Sequence, residues 1–214
     1  TSRTRTKLVD MGVVPTLNQL ASDESELVKR SVLFCFYHFA REPLCRLAVF
    51  NSRTSKVLIQ LCKHDGRDVE GARVASMALK ELTLDRDLLP VLMKEGIVSA
   101  ASTLASLEHT VVQQNIVETI THMFHVDSLF STLVEQGAVG ILVRLCHSSS
   151  EETKEWCCFA LNQIVRSALV PKAILERGVL PCVLDLCESK SVLCRRFCSS
   201  TLFLLSNNKE IDTS

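Results

Sequence analysis

In the stretch SSSEETKEWCCFALNQIVRS the apolar positions Cys157, Ala160, Leu161 and Ile164 recur every three or four residues, which predicts a helix over about Glu152–Ser167 with one apolar face. The serines and acids ahead of it supply a cap and negative charge at the helix start, where the free backbone N–H groups favour both. Upstream, the pattern predicts a short helix over Val126–Gln136 and a second over Ala138–His147. Gly137 stands between them, because a residue free to take positive φ lets the chain turn there. Three helices thus make one unit.

The unit recurs. VLMKEGIVSAASTLA, LVEQGAVGILVRLC and AILERGVLPCVLDLC each carry an apolar helix end, a polar pair, glycine, two apolar residues and an amphipathic run. Gly96, Gly137 and Gly178 are 41 residues apart. Counting back two units from Gly96 reaches Gly12, and the unit between reads AVFNSRTSKVLIQLC, with Arg53 where the others have glycine. The leucine eight places on fixes the register: Leu20, Leu61, Leu104, Leu145 and Leu186, at intervals of 41, 43, 41 and 41. Five units, residues 1–40, 41–83, 84–125, 126–167 and 168–207, then fill a single repeat domain. No unit can bury its faces alone, so neighbours stack into a continuous core. A period near 41 lies outside the range of about 33 to 34 of ankyrin and tetratricopeptide arrays and inside that of armadillo and HEAT arrays.

Composition agrees with helices. Of 214 residues 47% are apolar but only 5% aromatic, and seven glycines with five prolines leave few turns for a many-stranded β fold. The 24 basic and 24 acidic residues balance, so no global field draws nucleic acid or an anionic membrane. No apolar run approaches the ~20 residues of a membrane span, and TSRTRTK lacks a signal-peptide core. The expectation is a cytoplasmic protein without membrane insertion, with a nuclear, ciliary or cytoskeletal setting as alternatives. Ten cysteines without an export signal point to reduced thiols. The start without Met and the apolar last helix, CRRFCSSTLFLLSNN, point to a fragment with further repeats or domains after it, unless the NNKEIDTS tail turns back to cover that helix.

The stretches EQGAVGILVRL and ERGVLPCVLDL, with the A-L-x-x-I ending in CCFALNQIV, resemble the armadillo repeat family over all five units. The resemblance implies an all-α, right-handed α-solenoid of three-helix repeats whose third helices line a concave groove. It also implies binding of an extended peptide or partner protein. In peptide-binding members an Asn near the end of each third helix clamps the ligand's main chain, and a Trp four places earlier packs its side chains. The matching positions here hold His38, Glu81, His122, Gln163 and Leu204, and Phe34, Met77, Glu118, Phe159 and Ser200. None is Asn or Trp, which argues against recognition of basic nuclear-import signals. Gln163 can still donate to and accept from a peptide unit, as can neutral His38 and His122.

Two more columns should face the groove. Three places after the ladder stand Arg41, Leu84, His125, Arg166 and Asn207; seven before it stand Ser31, Val74, Asn115, Trp156 and Phe197. A partner segment with acidic residues and an apolar anchor suits Arg41, Arg166 and the Trp156/Phe159 pair. The alternative is that the arginines are solvated and Trp156 is partly buried between units. The candidate contact set is therefore His38, Arg41, Glu81, Asn115, His122, His125, Trp156, Phe159, Gln163 and Arg166.

Candidate chemistry changes this little. There is no GxSxG, GxxxxGK[ST], HExxH or CxxC, so no catalytic residue and no cofactor are expected. His122 and His125 form an isolated HxxH without a third ligand. The densest cysteine run, CVLDLCESKSVLCRRFC, divides among several small apolar columns, where free cysteine packs as a small hydrophobe, so no metal is expected there. A non-enzymatic protein-binding scaffold is the leading reading. A structural spacer of a larger, cytoskeletal or ciliary assembly is the alternative, and an RNA-binding solenoid ranks behind both for want of charge and stacking residues.

Overall fold

The computed structural model describes residues 2–63, 69–166 and 172–207. These residues hold fifteen α-helices and no strand, and the helices fall into five triplets, giving an α-solenoid. The first repeat comprises α1 (Ser2–Asp10), α2 (Val13–Leu20) and α3 (Glu26–Ala40). The second has α4 (Pro43–Val49), α5 (Ser52–Lys63) and α6 (Val69–Thr83), and the third α7 (Leu89–Glu95), α8 (Ile97–Ala105) and α9 (Thr110–Phe124). The fourth opens with a 3-10 turn, Asp127–Leu129, before α10 (Phe130–Glu135), α11 (Ala138–Leu145) and α12 (Glu151–Arg166). The fifth has α13 (Lys172–Leu175), α14 (Val179–Cys187) and α15 (Val192–Ser206). The expected end of the fourth long helix at Ser167, the first residues of the fifth repeat and the tail beyond Asn207 lie outside the described residues. No single described helix is long and apolar enough to cross a membrane.

By internal packing the chain divides into two compact units, residues 1–119 and 120–214. In the first, α3 packs along α6 and α5 against α7 and α8. Phe36 of α3 and Phe50 are fully buried and meet edge to face at 5.9 Å, a geometry that adds about 1 kcal/mol to the area they bury. Gly12 and Gly96 take φ of 80° and 93° at the joints between first and second helices. The second repeat lacks that glycine and solves the joint differently. Phe50 ends α4 at φ −93° and ψ 58°, and the Asn51 side chain accepts the Thr54 backbone N–H at 3.1 Å, capping α5. Arg53 therefore sits inside a helix and needs no left-handed backbone.

In the second unit α12 packs along α15, and α14 packs against α15. Gly137 and Gly178 turn the chain at φ of 86° and 82°. Ser150 caps α12, its hydroxyl accepting the Thr153 N–H at 3.2 Å. The repeat leucines Leu104, Leu145 and Leu186 are buried, and the slot that follows is small throughout: Ala21, Cys62, Ala105 and Cys146 are buried, with Cys187 at its edge. Leu20 departs from its column. It is 41% exposed and lines an open apolar cleft of about 410 Å³ with Leu17, Leu27, Val28 and Cys35.

Candidate functional site

The third helices carry the predicted contact positions, and their surroundings sort them. On α3, His38 and Arg41 are exposed, with the Arg41 guanidinium 5.6 Å from the centre of the Tyr37 ring. Partial burial, then the positive charges of Arg5 and Arg41, hold His38 below the ordinary imidazole value, which favours its neutral, two-way hydrogen-bonding form. On α6, Glu81 faces the Arg46 guanidinium at 3.8 Å. Arg46 is itself pinned, donating from Nε to the Ala40 carbonyl at 2.5 Å. Glu81 is thus partly committed to an internal ion pair. Glu118 of α9 likewise meets Lys80 at 3.5 Å.

Asn115 does not face a groove. It is 5% exposed, and its amide donates to the Ser76 hydroxyl of α6 at 3.0 Å. Val74 of the same column is fully buried. The expectation that this column lines the surface fails at interior positions because a neighbouring third helix covers them. An amide there must find an internal partner or lose about 1–3 kcal/mol.

In the second unit α12 supplies one continuous stripe. Glu152, Trp156, Phe159, Gln163 and Arg166 are spaced by three or four residues, so they share a face about 21 Å long. Two clefts open on it. The first, of about 360 Å³, is walled by Trp156, Phe159, Leu193 and Phe197, with Glu152 and Glu155 at its rim. Trp156 and Phe159 meet edge to face at 6.2 Å, and Phe159 and Phe197 do so at 5.4 Å. Trp156 remains 38% exposed. Trp156 is thus partly buried between two repeats and partly open, sharing its cleft with Leu193 and Phe197 of the next one.

The second cleft, of about 250 Å³, brings together His125, Gln163 and Arg166 with Thr121, Phe124 and Asp127. His122 is half-buried one turn back and is not among its walls. Arg166 is held in place: its Nε donates to Asn162 Oδ1 at 3.0 Å, while the buried Asn162 amide donates to Ser200 Oγ and Thr201 Oγ1 of α15, each at 3.1 Å.

Sequence reasoning placed no acids beside Trp156 and missed Asn162 altogether. Asn18 donates to Thr54 at 3.0 Å, and with Asn115 and Asn162 it bonds a hydroxyl 36 to 39 residues away; the three asparagines stand at different positions of the repeat, so no column of the sequence points to Asn162. Among the described residues, no group of three or more His, Cys, Asp or Glu side chains converges as a metal site.

No protein-family profile matches the chain, and no curated protein matches it. Solved structures do. A designed armadillo repeat protein in complex with the peptide (KR)4 is 20% identical, with a TM-score of 0.80 over 95% of this chain and 86% of that one. A computationally designed armadillo repeat protein for modular peptide recognition, also 20% identical, superposes with a TM-score of 0.79 over 94% of this chain and 86% of its own. An engineered protein at 20% identity and a TM-score of 0.78 covers 96% of this chain and 51% of its own length. At these identities the likeness shows the fold, and the fold is that of armadillo repeats.

Proposed function

We propose that the chain is a non-enzymatic scaffold that binds an extended segment of a partner protein along its third helices, anchored on α12. The stripe of two clefts on one helix face carries this reading. An apolar side chain of the partner sits against Trp156, Phe159 and Phe197, where area and rigidity make a binding hot spot. The Gln163 and Arg166 end lies about 10 Å along the helix, seven residues at 1.5 Å each, which an extended chain spans in about three residues. An acidic side chain there meets Arg166, and Gln163 bonds the main chain. Glu152 and Glu155 favour a basic residue on the other side of the anchor. That a designed protein of this fold holds the peptide (KR)4 supports an extended peptide as the ligand class.

Selection of a random peptide library on the intact chain tests the reading. Enriched peptides should carry an apolar residue with an acidic one about three positions away, in keeping with those distances. Trp156→Ala should weaken them by roughly 30-fold, the scale of a hot-spot residue. Arg166→Glu should be rescued by a lysine at the acidic position. Equal enrichment on a Trp156→Ala, Gln163→Ala double variant sinks the proposal.

One observation favours the spacer alternative. Large apolar side chains stand exposed away from the stripe, Met11 and Leu27 in the first repeat and Val192 and Phe203 on α15. These suit packing against further protein, cytoskeletal or ciliary assemblies included.

A further inference from the structure

The cysteines of the segment 182–198 are not among the walls of either cleft, and two of them pair with different thiols of the preceding repeat. Cys182 on α14 meets the Cys146 thiol, whereas Cys198 on α15 places its Sγ 3.6 Å from the Sγ of Cys158 on α12. Both sulfurs of the second pair are buried. They are in van der Waals contact, about 1.5 Å further apart than a disulfide bond. The partly exposed Cys187, at the end of α14, is the other thiol close enough to Cys198 to influence its charge. Three thiols thus run from the surface into the seam between two adjacent third helices.

We propose that Cys158 and Cys198 are a thiol-oxidation site, closed to a disulfide by a hydroperoxide that reacts first at Cys187. The Cys187 sulfur, as thiolate, attacks one peroxide oxygen. The O–O bond breaks, the departing oxygen takes a proton to leave as an alcohol or water, and Cys187 becomes a sulfenic acid. The Cys198 sulfur then attacks Cys187; the S–O bond breaks, and hydroxide leaves as water with the Cys198 proton. Cys158 next attacks the Cys198 sulfur and displaces Cys187, which takes up the Cys158 proton and is restored as a thiol. Two thiols and one hydroperoxide give one disulfide, one alcohol or water from the peroxide, and one further water.

Burial, then the neighbouring Cys198, push the Cys187 thiol up, so its exposure rather than its acidity makes it the entry point, and formation of its thiolate limits the first step. Cys158 and then Cys187 stabilise a thiolate at Cys198 and hold its thiol below the ordinary value, while the bond to Cys198 and burial push Cys158 up. Cys198 is thus the better attacking sulfur in the second step. Cys158 and Cys198 each adjoin an aromatic wall of the first cleft, Phe159 and Phe197. The crosslink therefore fixes the spacing of those walls.

The test is to treat the intact, reduced chain with hydrogen peroxide and map disulfides by mass spectrometry of non-reduced peptides. The expected product has lost two hydrogens, with Cys158 joined to Cys198 and Cys187 free. Cys187→Ser should slow closure at least tenfold, and Cys158→Ala should stop the sequence at a Cys187–Cys198 bond. A crosslink on another pair such as Cys146–Cys182, closure at the unaltered rate in Cys187→Ser, or crosslinking only after the chain is unfolded overturns the proposal. The wild-type map alone decides the question of the pair if the Cys158 variant does not fold.

Discussion

Asn162 shows how much one buried amide can hold. Its NH2 group joins α12 to two hydroxyls of α15, and its oxygen fixes the Arg166 guanidinium at the mouth of the second cleft. Asn162→Ala removes all three bonds and leaves two hydroxyls short of a donor. It should cost about 1–3 kcal/mol of stability in urea unfolding and weaken selected peptides in parallel with Arg166→Ala. Cys62 sets a second expectation at this scale. Complete burial pushes its thiol up to about 12 from an ordinary 9.0. Between those values the unfolded chain has lost the proton and the native one keeps it, so stability falls as pH rises through that window. It is unaffected by this group below about pH 9. The slope approaches about 1.4 kcal/mol per pH unit, and urea midpoints measured from pH 8 to pH 11 should show Cys62→Ala losing that contribution.

At the scale of the helix, α11 has one glycine just ahead of it and one inside it, with opposite roles. Gly137, at φ 86° ahead of the helix, has room for a methyl group but not the backbone for one, so Gly137→Ala should destabilise by about 1–2 kcal/mol. Gly140 lies inside the helix, exposed and with open space around it, so Gly140→Ala should stabilise by about 0.5–1 kcal/mol. Thermal or urea unfolding of the two variants should move in opposite directions. The left-handed joints were legible in the sequence because little but glycine is comfortable there, and their spacing revealed the repeat. The second joint was legible only through Leu61, since Asn51 capping replaces the turn by other means. The contact surface was read less well. Helical periodicity assigns a residue to a column, but exposure depends on what the neighbouring helix brings opposite it. Asn115 and Trp156 share a column, and one is sealed by α6 while the other stands open beside Leu193. No local pattern encodes that difference.

For the whole molecule, balanced charge and exposed apolar side chains act together. The chain carries no net charge near its isoelectric point of about 6.9, while Met11, Val192 and Phe203 remain largely exposed. Self-association should peak near that pH, where repulsion between copies is weakest. Light scattering across pH 5 to 9 should show the maximum, and Phe203→Lys with Met11→Lys should lower it. The small cysteine slots have a different consequence at this scale. Buried thiols are spread through both units, with Cys45 and Cys62 in the first and Cys146, Cys157 and Cys194 among those in the second, while exposed Cys35 serves as an internal control. A thiol shielded by its repeat reacts with an alkylating reagent only when that repeat opens, so its labelling rate measures local opening free energy. The chain carries native clocks in both units, able to time which repeats breathe first without any foreign label.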